Sequence, residues 1–267
     1  MPLVYKYLPP ERISYFLDEN LRFSPPSALN DPYEGIPKLP DNFEKIILET
    51  ISNTIEDEKY QHLANREAIK QKIKVGKENP SELINVFNCA ILKNMDKKIG
   101  ILSLSKRWDS TLMWSHYAMS HQGICLGFDQ QHEFFKYPNV ITNRSEFILG
   151  DVIYSQERSN LRGIDPCESE IDNYKIIFTK SIDWKYEEEV RAICRLKDAN
   201  EIIEAKPFNI SLFEIPHQAV KEVIVGLRVG DSTYQSAKNF AMQNSIPIYR
   251  TMLSDRTYDL RRYQVNA

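Results

Sequence analysis

Glycine is scarce in this chain, at nine of 267 residues, about half the usual share. That argues against glycine-rich phosphate loops and against blade or β-solenoid repeats. Neither G-x-x-x-x-G-K-[ST] nor G-x-G-x-x-G occurs, and there is no G-x-S-x-G elbow, so the common nucleotide and hydrolase signatures are missing. The four cysteines, Cys89, Cys125, Cys167 and Cys194, are widely separated and form no C-x-x-C pair. A disulfide or zinc framework is therefore not expected. Cys89, Cys125 and Cys194 sit among apolar neighbours, as small buried hydrophobes do. No stretch approaches the roughly 18 consecutive apolar residues that cross a bilayer, and Met1–Tyr7 lacks the basic and apolar runs of a signal peptide. The expectation is a reduced, cytoplasmic protein that does not enter membranes. Charge of one sign is also lacking: 34 Lys+Arg face 37 Asp+Glu, a net charge of −3. Nothing global draws the chain to nucleic acid or to an anionic surface.

What is present is an ordinary globular composition, 42% apolar and 11% aromatic, in a length that supports one large core. Alternation predicts a strand over Leu3–Leu8, with Leu3, Tyr5 and Tyr7 on one face and Val4 and Lys6 on the other. Pro9-Pro10 opens a short helix whose apolar face is Ile13, Phe16 and Leu17. Leu21–Ser24 reads as extended, and residues 25–35 as an ordered loop dense in turn formers. Helical spacing returns at Phe43, Ile46, Ile47, Ile51 and Ile55, and again at Leu83, Ile84, Phe87 and Ile91 after an Asn79-Pro80 start. A polar stretch over 65–78 lies between them, so 41–95 reads as a helical insertion in a single domain spanning 1–267. Further strands are expected at Ile99–Ser105, Gly123–Phe128, Ile148–Tyr154 and Glu187–Leu196. Asp109 is expected to cap a helix, and another helix is expected over about 168–180. A β-α-β unit closes the chain from Val223 to Tyr249. The fold class is α+β, a bent or split mixed β-sheet core.

Three segments carry chemistry. In Trp184–Arg191, strand alternation puts Glu187, Glu189 and Arg191 on one face. Carboxylates at i and i+2 lie roughly 7 Å apart along a strand that rises about 3.3 Å per residue, a spacing that lets them act on two ends of one small ligand. The same pattern fits a solvated edge face on which Arg191 neutralises its neighbours. In the second segment, Ser103 and Ser105 share a face at a strand-to-helix junction. His116 and His121 are five apart, which is not the spacing of a helical zinc pair, so no metal site is expected. A triad of Ser105, His116 and Asp129 can be drawn but lacks its elbow. In the third segment, Asn30 and Asp31 before Pro32 suit an Asx-type turn.

These segments resemble a widespread bacterial family of uncharacterised proteins. The hallmarks are Tyr5 and Tyr7, F-x-x-P-x-x-x-N-D-P-[FY]-E at Phe23–Glu34, S-L-S-x-x-x-D-S-x-x-M-W-x-H-Y-A-x-x-H-x-G at Ser103–Gly123, and W-x-Y-E-x-E-x-R at Trp184–Arg191. The resemblance runs from residue 3 to about 226. The order of the motifs in turn looks like a distant variant of the ADP-ribosyltransferase-like fold. That likeness implies NAD as substrate, with Glu189 and Glu187 as catalytic carboxylates and no metal. It implies Ser103 and Ser105 beside the nicotinamide ribose, and Lys6 or Tyr7 where the superfamily has Arg or His on its first strand. Arg22, His116 or Lys6 are the candidates to substitute for that residue, and Tyr7 or Tyr117 to stack on nicotinamide. Tyr5 and Arg191 complete the ligand-binding set.

On this reading the chain is an ADP-ribosyltransferase-like enzyme or NAD glycohydrolase, such as a toxin or phage-defence effector. Its partners are a nucleotide-sized ligand and, for a transferase, a macromolecular acceptor. Two alternatives come from other classes. One is a non-catalytic module that binds a nucleotide or partner protein in the same pocket. The other is a nucleic-acid enzyme or binder, for which Arg250, Arg256, Arg261 and Arg262 interleave with Tyr258 and Tyr263 as stacking platforms do.

Overall fold

The computed structural model describes residues 2–56, 71, 74, 78–136, 147–160 and 175–265. Eight strands build the main sheet: β1 (Leu3–Leu8), β3 (Ile99–Ser105), β4 (Ile124–Asp129), β5 (Phe147–Asp151), β8 (Glu189–Arg195), β11 (Val220–Val225), β12 (Ile248–Leu253) and β13 (Leu260–Gln264). Their order is β13-β12-β11-β4-β1-β3-β8-β5. All neighbours are antiparallel except β11 and β12. A three-stranded sheet joins β2 (Asn20–Phe23), β10 (Ile210–Glu214) and β9 (Glu201–Ile203), and a parallel pair joins β6 (Ile153–Ser155) and β7 (Thr179–Ser181). Helices with defined bounds among the described residues are α1 (Tyr15–Asp18), α2 (Phe43–Glu56), α3 (Pro80–Asp96), α4 (Thr111–Tyr117) and α5 (Asp231–Gln243). The protein is thus mixed α+β around a mixed sheet.

Alternation along the central strands feeds two cores. Val4, Leu8, Leu102, Leu104, Leu126 and Val190 pack toward α1, α5 and the small sheet, against Tyr15, Phe213 and Phe240. Tyr5, Tyr7, Cys125 and Ile224 pack on the other face against Met113 and Trp114 of α4. Phe43 and Phe87 meet at 4.6 Å between ring centroids and join α2 to α3. The polar stretch expected over 65–78 and Cys167 fall largely outside the described residues.

The sheet parts between β1 and β3. β1 shares six register pairs with β4 and β3 shares seven with β8, but β1 and β3 meet only at Tyr5↔Ser105. Two residues before Ser103, β3 changes partner: Ser24, at the end of β2, bridges to Ile101 through two backbone hydrogen bonds of 2.9 and 2.8 Å. Ser103 is left between the two partners. Its carbonyl accepts from the Lys6 ammonium at 2.9 Å, which satisfies a backbone group that the ladder leaves open. The fork between β1 and β2 is the mouth of a cavity.

Several local expectations are corrected. Ser110, not Asp109, caps α4, its Oγ accepting from Met113 N, while Asp109 pairs with Arg107. Asn79 makes no side-chain cap at α3. In the first helical segment Tyr15 is the buried residue, its hydroxyl donating to the Ile215 carbonyl, and Leu17 is 91% exposed. Ile148–Tyr154 is divided into β5 and β6 at Val152. Of the helix expected over about 168–180, residues 175–177 are helical and Thr179–Ser181 is strand, while 168–174 lie outside the described residues. Glu187 ends a 3-10 turn, Ile182–Glu187, and the strand starts at Glu189. Among the described residues, no helix is long and apolar enough to cross a membrane.

Candidate functional site

A cavity of about 230 Å³ occupies the fork. Tyr5, Lys6 and Tyr7 reach it from β1, Arg22 and Ser24 from β2, and Ser103 from β3. Tyr117 closes it from the end of α4, and Lys180, Glu187 and Glu189 form its inner wall. Residues far apart in the chain meet there because Ser105 stands opposite both Tyr5 and Glu189 in the ladder.

The backbone between the two glutamates sets their geometry. Glu188 is left-handed, with φ 42°, a conformation unusual outside glycine. The turn aims both flanking carboxylates at one nitrogen. Lys180 Nζ lies 2.5 Å from Glu187 Oε2 and 3.2 Å from Glu189 Oε2, and it sits 4.6 Å over the Trp184 ring. Lys180, Glu187 and Glu189 are all buried. The 7 Å separation expected of a continuous strand is replaced by convergence on a shared cation.

Behind the wall, Arg191 is wholly buried and binds two acids at once. Nη1 and Nη2 grip Glu34 Oε1 and Oε2 at 2.5 and 2.9 Å, while Nε and Nη2 grip Glu189 Oε1 and Oε2 at 2.9 and 3.0 Å. Nη1 also donates to the Ile177 carbonyl. Burial pushes the Glu34 carboxyl up against the pull of Arg191. Burial opposes ionisation of Glu189 as well, but Arg191 and Lys180 outweigh it, and with the Ser103 hydroxyl bonded to the carboxylate they hold Glu189 down to about 2. Arg191, Lys180 and Ser103 fill the roughly four lone-pair positions of that carboxylate.

Glu187 is bonded differently. Its Oε1 accepts from the Tyr117 hydroxyl and its Oε2 from Lys180, which leaves acceptor capacity facing the cavity. Burial and the Glu187 charge push the Tyr117 phenol up, so it stays a donor. Its oxygen in turn accepts from Asn30 Nδ2 at 2.7 Å. Burial pulls the Lys6 ammonium down to about 8, against Glu189 and with help from Arg12.

The structure brings together Tyr5, Lys6, Tyr7, Arg22, Ser103, Tyr117, Glu187 and Glu189 on one cavity. His116 lines the groove outside it, its Nδ1 3.2 Å from the Tyr186 hydroxyl. Arg191 stands behind Glu189. Ser105 lies under the β1–β3 junction, where its hydroxyl donates to the Glu187 carbonyl at 2.6 Å and accepts from Arg107 N. Ser105, His116 and Asp129 thus have separate partners, Asp129 accepting from Gln131 N. Sequence reasoning missed Lys180, Glu34 and Asn30 as members of the site. Glu34 and Asn30 stand in the N-D-P-Y-E stretch, and the pairing of two glutamates, Glu187 and Glu189, with the single cation Arg191 on one expected strand face is the signal that a second cation is needed. Arg262 is engaged within the fold, between the Trp108 and Tyr249 rings and bonded to Glu222. Among the described residues, no group of three or more His, Cys, Asp or Glu is placed to hold a metal ion.

No curated protein and no solved structure matches the chain. Residues 113–192 match the model of the family described as Protein of unknown function (DUF2971), a stretch that includes Tyr117, Lys180, Glu187, Glu189 and Arg191.

Proposed function

We propose that the cavity binds NAD as a substrate and cleaves its nicotinamide–ribose bond, as an ADP-ribosyltransferase-like enzyme or NAD glycohydrolase. The observation that carries this reading is the pairing of two unlike carboxylates on one small cavity: Glu189 locked and ionised, Glu187 with acceptor capacity to spare. Cleavage of an N-glycosidic bond passes through an oxocarbenium-like state, as glycoside hydrolysis does. The bond pair leaves with the nicotinamide nitrogen, which becomes neutral. Positive charge develops on the ribose, and a carboxylate fixed in place beforehand stabilises it without reorganising. That is the role of Glu189, with a ribose hydroxyl taking the position that Ser103 fills. Water, or an acceptor group in a transferase, then bonds to the ribose carbon and gives up a proton. Glu187 takes that proton as general base, and the Tyr117 and Lys180 donors hold it in position. Tyr7 and Tyr117 supply aromatic surface for the nicotinamide ring.

The test is release of nicotinamide from NAD by the purified chain. Glu189→Gln keeps the shape and removes the charge, and release is expected to fall about 100-fold or more with the far-ultraviolet circular dichroism unchanged. Full turnover in a folded Glu189→Gln chain removes Glu189 from the mechanism. NAD that stabilises the chain against heat without being cleaved makes the site a non-catalytic nucleotide-binding module.

A further inference from the structure

The cavity does not end at Lys6 and Arg22. Both residues also border a wider groove of about 700 Å³, which runs outward past Arg12 and along Ile210 and Leu212 of the small sheet. Lys6, Arg12 and Arg22 face this groove together, and none of the three has an ion-pair partner among the described residues. Lys6 donates to a neutral carbonyl. Arg22 Nε is buried and without a hydrogen-bond partner. Burial pulls Arg22 below its ordinary range, and the Arg12 charge pulls the same way. The acids that border the groove are Asp18 and Glu201, and Asp18 Oδ1 is already engaged by Asn20 N. Three cations held together against their mutual repulsion, one with an orphaned buried donor, cost the fold free energy that an anion recovers.

We infer that this groove binds the phosphate or diphosphate group of a small ligand whose other end enters the cavity. The inner end rests on the N-glycosidic reading above; the groove stands on its own residues. Arginine suits the task because its planar fork meets phosphate oxygens two at a time. A small ligand is favoured over a nucleic-acid backbone because the groove leads to a wall of buried residues and the chain as a whole carries a net charge of −3. Leu212 and Ile210 give an attached ring or chain an apolar bed.

The experiment is calorimetric titration of the full chain with ADP-ribose, with pyrophosphate and adenosine as separate arms. ADP-ribose is expected to bind, pyrophosphate to compete with it, and adenosine to bind at least about tenfold more weakly, the size of a lost charged hydrogen bond. Arg12→Gln and Arg22→Gln should each weaken ADP-ribose about tenfold, with Arg22→Lys recovering part of the loss. Arg12 is exposed, so its variant keeps the test alive if Arg22→Gln fails to fold. Binding that follows the arginines in a chain that releases no nicotinamide upholds the groove and overturns the N-glycosidic reading. Affinity unmoved in both folded glutamine variants overturns the groove and leaves that reading untouched. So does the failure of ADP-ribose and pyrophosphate to bind, or displacement of ADP-ribose by an oligonucleotide at lower concentration.

Discussion

The Arg191 guanidinium donates five hydrogen bonds. It is the shared partner of Glu34 and Glu189, and all three are buried. Removing one member of such a network strands charge in a medium that solvates it poorly. Arg191→Ala should therefore cost about 3–5 kcal/mol, measured by denaturant unfolding, whereas Lys106→Ala at the exposed pair with Asp151 should cost less than about 1 kcal/mol. Lys6 makes a second prediction. Its folded-state pKa of about 8 lies below the roughly 10.4 of an unfolded lysine. Between those values the unfolded chain holds the extra proton, so stability rises with pH. Thermal melting followed from pH 8 to 10 should show a rise that Lys6→Met abolishes. An identical slope in the two proteins would mean that Lys6 titrates normally. Glu189 acts at the other end of the scale. Its carboxyl is depressed to about 2, so the stability it contributes is present above about pH 4.3 and lost as pH falls toward 2.

Elements position these residues through their irregularities. The left-handed Glu188 turns two carboxylates that a regular strand would separate onto one lysine. After Tyr117, Met119, Ser120 and His121 are left-handed in succession, with φ 46°, 53° and 70°, costly for residues that carry a Cβ. The run reverses the chain from α4 into β4 and is clamped by backbone. A Cβ on Gly123 would collide with the Leu8 carbonyl, and one on Gly226 with the His121 carbonyl. Gly123→Ala and Gly226→Ala should each cost about 1–3 kcal/mol and loosen Tyr117. Gly230→Ala, where nothing lies within 4 Å, should cost less than about 1 kcal/mol. Denaturant midpoints of the three variants separate these cases. Such irregularities are poorly legible in a sequence. Period-two alternation correctly put Ser103 and Ser105 on one face, but not the parting of β1 from β3 that leaves Ser103 in the cavity and Ser105 beneath a strand. Trp184–Arg191 alternates smoothly on paper, and nothing in its pattern marks the break at Glu188.

Across the whole molecule, the central strands and the β-α-β closure were legible because long apolar alternation reports burial directly. Tyr5, Lys6, Tyr7, Ser103, Tyr117, Glu187 and Glu189 were legible as a group because they sit in short, dense motifs. Lys180 was not, since its place depends on β7 pairing with β6 and on the charge deficit of a wall assembled in three dimensions. The scarcity of glycine gains a physical meaning here. In the proposed reading, anion binding and charge balance fall to side chains, Lys6, Arg12, Arg22 and Lys180, where a glycine-rich loop would use backbone N–H groups. The measurement that tests the central claim most directly is nicotinamide release from NAD at pH 7 by the wild-type chain beside Glu187→Gln and Glu189→Gln, with melting temperatures recorded for all three. The account predicts release by the wild type and its loss in both folded variants. Equal release by all three proteins would contradict it.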